Sequence, residues 1–291
     1  MLPLLALLLV TAVWGVTFVQ VQDAVALYPL FAFLAVRFLV AGATLAVPAA
    51  PRLRTLGRTG WTAATALGLL LAAGYALQTA GLERTTVSST GFITGLYVVF
   101  TPLLALALFR IRAGPASWSG VALSAVGLAL FSGLGTGRLA GDLLVLGGAA
   151  AYSLQIVLME RAAPRFEPVA FTEVEMLAAA AGFVVVAVAL GQVEVPRGAT
   201  VWAALVVTGV FASALAFLIQ TWAQRRTSAT RTALAFAMEP VWAAFFGVWL
   251  AGDRLGATAW LGAALIMVGI VLAEPDAARA LRRLLPARAR A

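Results

Sequence analysis

Few side chains in this sequence can do chemistry, and the notable ones are charged groups set inside apolar runs. There is no His and no Cys. That removes imidazole and thiolate ligands, and with them haem, iron–sulfur clusters and ordinary zinc sites. It also removes Ser–His and Cys–His catalysis and a histidine proton switch. Carboxylates, arginines, amides, hydroxyls and aromatics remain, so neither a cofactor nor a metal is expected.

Glu239 stands in "TALAFAMEPVWAAFFGVWLAG", too deep for a short side chain to reach water except through a cavity. A carboxylate held away from water pairs with a cation or takes up a proton. It can therefore serve as counter-ion to an ammonium substrate, as a proton carrier in antiport, or as a structural partner of Arg37. Arg37 lies near the centre of "LYPLFAFLAVRFLVAGATL". An arginine there costs roughly 2.5–3.5 kcal/mol on insertion scales and faces a cavity or a partner. It either caps backbone carbonyls, pairs with a carboxylate, or binds substrate. Glu175 lies only about seven residues, or roughly 10 Å, from the end of its run. It is within reach of the interface, and Glu173 is nearer still.

These groups need elements to hold them, and composition says which. The 291 residues are 63% hydrophobic and 11% charged, with a mean hydropathy of +1.00. Soluble domains are about half apolar and a quarter charged, so the chain reads as an all-α polytopic membrane protein. A span takes about 20 mainly apolar residues. Ten candidates follow, at 2–21, 29–49, 62–82, 87–109, 117–134, 142–160, 168–190, 201–223, 229–251 and 257–274. The N-terminal run has no basic n-region and no small-residue cleavage site before Gln20, so it reads as a first span and not as a signal peptide.

All twenty basic residues are arginine, giving a net charge of +8. They sit in short loops between apolar runs, which argues against nucleic acid as a partner. With the N-terminus inside, one side holds Arg52, Arg54, Arg58, Arg110, Arg112, Arg161, Arg165, Arg225, Arg226 and five arginines of the tail. The other side holds Arg84, Arg138, Arg197 and Arg254. The asymmetry predicts that both termini are cytoplasmic. The tail, 275–291, either lies on the anionic inner leaflet or extends into solvent. "SGLGTGRLAGD", Ser132 to Asp142, lacks the ending of a phosphate loop and reads as a connector.

The sequence also repeats. "WSGVALSAVG" at Trp118–Gly127 matches "WLGAALIMVG" at Trp260–Gly269, and "QTAGLERT" at Gln78 matches "QTWAQRRT" at Gln220, both 142 residues apart. Thr101-Pro102 matches Glu239-Pro240 at a separation of 138, and the Trp14–Tyr152 pairing at the same separation aligns Arg37 with Glu175. Two halves follow, 1–136 and 141–274, each of five spans. An odd number of spans inserts the halves with opposite orientation, the architecture of secondary transporters whose site lies between the halves. Pro102 and Pro240 each leave a carbonyl without its donor, Val98 and Phe236 respectively. Such matched helix breaks are candidate gating elements.

Several spans carry groups suited to a mixed polar and aromatic cavity: Trp14, Thr17, Tyr75, Gln78, Thr94, Tyr97, Tyr152, Gln155, Gln220 and Trp242. The alternative for each is interhelical glue at about 0.6 kcal/mol per contact. Gly120 with Gly127, and Gly262 with Gly269, are seven apart on one face and read as packing stripes. A membrane enzyme would need clustered carboxylates or a nucleophile with a base, and neither pattern occurs. A non-transporting scaffold would lack a central cavity.

With its ten spans and tandem halves, the chain resembles the drug/metabolite transporter superfamily, in particular its EamA-type exporters. "WGVTF" at Trp14–Phe18, the arginine in span two, and "EP" followed by "GDRL" after span nine carry the same resemblance. It implies a ten-helix inverted-repeat transporter of the bacterial inner membrane. Such a protein moves small metabolites or amino acids, commonly outward, with the lipid bilayer and a small-molecule substrate as partners; a monomer is compatible. In "GDRL" the acidic residue is Asp253 where Glu is commoner, and "FRIRAG" in the first half has no equivalent.

Overall fold

The structure is a computed structural model that describes residues 2–85, 87–132, 139–242, 245–246 and 256–273. These residues form helices and connecting turns, with no strand among them. The helices are α1 (Leu2–Leu27), α2 (Leu30–Ala49), α3 (Gly57–Leu82), α4 (Val87–Gly95), α5 (Tyr97–Phe109) and α6 (Pro115–Ser132). They continue with α7 (Leu139–Ala162), α8 (Pro168–Ala189), α9 (Ala199–Gly209), α10 (Ala216–Gln224), α11 (Ala229–Phe236) and α12 (Ala257–Ala273). Among the described residues, five helical stretches are long and apolar enough to cross a membrane: 30–49, 53–82, 139–165, 168–189 and 199–224. The tail 275–291, the "GDRL" motif at 252–255 and most of the connector 132–142 lie outside the described residues.

Local signals set the helix ends. Glu167 accepts the Ala170 N–H at 2.7 Å, with Pro168 in the first helical position, and so starts α8. Ser228 accepts the Arg231 N–H at 3.4 Å at the head of α11. There Glu160 of α7 also takes the Ala229 N–H at 3.0 Å, tying the end of one helix to the start of another. α5 stops at Arg110, whose φ of +56° is the left-handed turn that closes many helices.

Because the helices are apolar on most faces, small residues decide which face packs. A Cβ added to Gly127 on α6 would lie 2.6 Å from the Gly262 carbonyl oxygen on α12. One added to Gly269 on α12 would lie 2.7 Å from the Gly120 carbonyl oxygen on α6. These are the matched glycines of the sequence repeat, and each contact is the other with the helices exchanged. The crossing is self-complementary, as at a two-fold axis. A second such pair joins Gly68 to the Glu175 carbonyl oxygen, which an added Cβ would meet, and Gly209 to that of Arg37, at 2.9 Å from an added Cβ. Accordingly α3 packs on α8 and α9 on α2.

Two expected spans are broken. The 87–109 run divides into α4 and α5 at Leu96, whose N–H turns back to the Ile93 carbonyl. The 229–251 run leaves α11 after Phe236, turns through Ala237 and Met238, and resumes helix at Glu239. The break near Pro240 therefore falls where the sequence suggested. The one expected at Pro102 does not. Pro102 sits within α5, and the turn comes six residues earlier, at Leu96. A proline in the second turn of a helix removes one bond without ending the helix.

The third irregularity was not anticipated. Between α9 and α10, Val210–Leu215 is a π-helix. A π-turn accommodates one extra residue in an α-helix. The repeat separation changes by that amount across it, from 141 at Gly68–Gly209 to 142 at Gln78–Gln220.

Candidate functional site

A cavity open on one side lies between the two halves of the chain. α1 contributes Trp14 and Thr17 to its wall, α2 Arg37, and α3 Tyr75 and Gln78. The α4–α5 break adds Thr94 and Tyr97, α7 adds Tyr152 and Gln155, and α10 adds Gln220. Glu239 enters from the resumed helix after α11. Helical spacing explains several of these groupings. Tyr75 and Gln78 on α3 are three residues apart, as are Tyr152 and Gln155 on α7, so each pair shares a face, whereas Thr94 and Tyr97 are brought together by the break at Leu96.

Arg37 is 4% exposed and points its Nε–H at Ser213 Oγ, 2.9 Å away. Its Nη2 donates to the Tyr75 hydroxyl at 3.3 Å, and the guanidinium carbon lies 4.8 Å from the Tyr75 ring centroid. The π-turn positions both halves of this arrangement. Besides Ser213, it offers the Ala212 carbonyl, which accepts the Trp14 Nε1–H at 2.8 Å. Across the cavity, Glu239 accepts the Tyr97 hydroxyl at 3.4 Å. Among the described residues Arg37 and Glu239 form no ion pair with each other; they face one cavity from opposite halves.

The remaining polar walls form two chains. Tyr152 OH donates to Gln78 Oε1 at 2.9 Å, and Gln78 Nε2 donates to Thr94 Oγ1 at 3.0 Å. Gln220 Nε2 donates both to Gln155 Oε1 and to Gln224 Oε1, each at 2.9 Å. Gln155 Nε2 goes on to Glu175 Oε1 at 2.8 Å, and Gln224 Nε2 to the Ile156 carbonyl at 2.8 Å. Aromatic rings close the space between. Trp14 sits edge-on to Phe236 at 4.8 Å between centroids, and Tyr75 to Tyr152 at 5.5 Å.

Some expected residues lie elsewhere. Glu175 and Glu173 do not reach toward an interface; they are 0% and 3% exposed, shut between helices. Glu175 stands behind the wall and touches the cavity only through Gln155. Trp242 is absent from the wall; its ring stands edge-on to Phe245 and stacks on Phe246. Pro102 and Pro240 are behind the wall as well, and Thr101, the repeat partner of Glu239, is buried with its hydroxyl unpartnered. Conversely, Leu71, Phe217 and Phe236 line the cavity although none of them carries a polar group that would mark it. Spacing could have found Phe217, which precedes Gln220 by three residues on α10; Phe236 stands across a turn from Glu239, where spacing carries no such signal. Ser213 carried no signal, since a π-turn is not written in the apolar pattern "VFASAL".

Comparison with known proteins fits this geometry. An archaeal protein of Archaeoglobus fulgidus described as an uncharacterized transporter is 29% identical over 273 residues, covering 92% of this chain and 84% of its own. A solved crystal structure shares the fold at a TM-score of 0.76 and 20% identity, covering 96% of this chain and 97% of that one. The EamA-like transporter family matches twice, at residues 1–133 and 139–273. With both halves matched, the chain belongs to the EamA-like transporter family and is a membrane transporter, not an enzyme.

Proposed function

We propose that the chain is a secondary transporter that exports small metabolites or amino acids across the bacterial inner membrane by alternating access. In this reading ten spans form two inverted five-span repeats, 1–136 and 141–274, with both termini cytoplasmic. The observation that carries it is a single cavity walled by both halves, with Arg37 entering from one and Glu239 from the other. The reciprocal glycine contacts of α6 and α12 support the two-fold relation. Under the predicted topology the wall runs toward Val21 and Leu82, near the outer ends of α1 and α3, so the cavity faces outward. Toward the cytoplasm it is closed by the Gln155–Gln220–Gln224 chain. The helix breaks at Leu96 and at Ala237–Met238 are the hinges for the opposite state, and Pro102 and Pro240 weaken the ladders beside them.

Glu239 is the group that carries a coupled proton, since among the described residues its carboxylate meets one long hydroxyl contact and forms no ion pair. The test is solute counterflow in proteoliposomes with and without a pH gradient. Coupled transport is expected to follow the gradient and to lose that dependence in Glu239→Gln. Gradient-independent flux, with full driven transport in the variant, would leave an uncoupled facilitator of the same fold.

A further inference from the structure

The two wall amides at matched repeat positions, Gln78 and Gln220, are wired in opposite directions. An amide NH2 carries two hydrogens and its oxygen accepts twice. Gln220 directs its nitrogen into two arms, and each arm ends on a group that accepts. One arm runs through Gln224 to the Ile156 backbone carbonyl. The other runs through Gln155 to the Glu175 carboxylate. With an acceptor at both ends, Gln220 must donate in both directions, and the Oε1 of this wall residue is left buried with no donor among the described residues. Gln78 is arranged the other way. Its Oε1 is taken by Tyr152 OH and its nitrogen donates once, to Thr94, which leaves one N–H over.

The charged pair follows the same division. Of five guanidinium N–H groups, Arg37 uses two among the described residues, on Ser213 and Tyr75. Glu239 has one donor, Tyr97. The first half therefore offers the cavity spare donors, and the second half offers spare acceptors. We infer that the cavity is polarised between its halves and selects zwitterionic solutes in one orientation. The acceptor end of the solute turns to Arg37 and Gln78, its N–H-bearing end turns to Glu239 and Gln220 Oε1, and its apolar body lies on the aromatic wall. Glu175 and Gln224 are positioning residues. They never touch the solute but hold Gln220 as an acceptor.

This deepens the transporter reading and rests on it only for the cavity being the solute site. The full chain in lipid nanodiscs is titrated calorimetrically with three probes that share one ring: L-phenylalanine, 2-phenylethylamine and 3-phenylpropionate. Phenylalanine is expected to bind tightest. Gln220→Leu weakens phenylalanine and phenylethylamine about tenfold and leaves phenylpropionate unchanged, the scale of one charge-assisted hydrogen bond. Gln78→Leu does the reverse, weakening phenylalanine and phenylpropionate only. Glu175→Leu combined with Gln224→Leu reproduces the Gln220→Leu pattern. Glu175→Gln, which still accepts from Gln155, keeps the wild-type ratio of amine to carboxylate affinity, a ratio that a merely structural role would not move. If the double variant does not fold, the two single wall variants decide. The polarity is overturned if both wall variants weaken the same probes, if either weakens all three alike, or if none of the probes binds the wild type. Transport of another solute in counterflow would then leave the transporter reading standing, whereas selective binding with no counterflow of any probe would overturn transport of zwitterions and keep the polarity.

Discussion

Valine at Gly127 is the sharpest test of the way the two halves meet. A Cβ there would sit 2.6 Å from the Gly262 carbonyl oxygen and 2.8 Å from Ile266 Cγ1. Carbon–oxygen approaches between helices are ordinarily about 3.3–3.6 Å, so α6 and α12 must separate by roughly 0.7–1 Å. The obstacle is backbone, which cannot rotate away. Overpacking of this kind costs about 1–3 kcal/mol, and valine recovers only a few tenths through its better helix propensity than glycine. A net loss of about 2 kcal/mol is expected. Gly269→Val meets the Gly120 carbonyl oxygen at 2.7 Å and Ser124 Oγ at 2.6 Å, and so carries the same penalty. Once one valine has pushed the helices apart, the second finds room. The double variant should therefore fall short of the sum by about 1 kcal/mol. Gly114→Ala, with nothing within 4 Å, is the control and should change stability by no more than about 0.5 kcal/mol. Reversible unfolding in mixed micelles, read by tryptophan fluorescence, measures all four. A neutral Gly127→Val, or costs for the two single variants that differ several-fold, would refute the self-complementary crossing.

Other perturbations probe the site and its frame. Ser213→Ala removes the Arg37 Nε partner and should cost about 1.5–3 kcal/mol of unfolding free energy, as for hydrogen bonds to charged groups; Ser213→Thr, which keeps the hydroxyl, should recover most of it. Gln224→Leu strands the Ile156 carbonyl and one Gln220 N–H, a loss of about 1–3 kcal/mol in the same assay. Tyr28 OH donates to the Glu194 carbonyl at 2.6 Å, and Gln192 Oε1 accepts the Phe31 N–H at 3.1 Å, together fastening the 191–198 loop over the start of α2. Tyr28→Phe should lower stability by only about 0.5–1.5 kcal/mol while raising amide hydrogen exchange in that loop, as mass spectrometry would detect.

How much of this was legible in advance depends on the kind of signal. In a chain this apolar, polarity itself marks what avoids lipid, so Arg37, Gln78, Gln155, Gln220 and Glu239 stood out by residue type and converge on one cavity. Trp242 was misplaced because, one turn beyond Glu239 on the same stretch of helix, its ring meets Phe245 and Phe246 instead of the cavity, and an apolar run does not show which partner an indole takes. Phe217 and Phe236 were hidden by the reverse of the same rule: an aromatic in an apolar run looks alike whether it faces lipid, core or cavity. The proline at 102 pointed to a break that the chain makes at Leu96, since a membrane helix can absorb a missing donor that a soluble helix advertises. Glu175 read as an interface residue because depth was counted along one helix. Its burial comes from neighbours on other helices.

The π-turn at Val210–Leu215 sets the clock of the second half. One residue advances an α-helix by about 100°, so everything beyond Leu215 is dialled round by that step relative to an uninterrupted helix. The dial setting is what turns Phe217 and Gln220 to the cavity while Ser213 still reaches Arg37. Deleting a single small residue from "FASA" would leave composition and span length almost unchanged. It would nonetheless swing the acceptor wall toward a neighbouring helix, so the spacing of this helix is as much a part of the site as the side chains it carries.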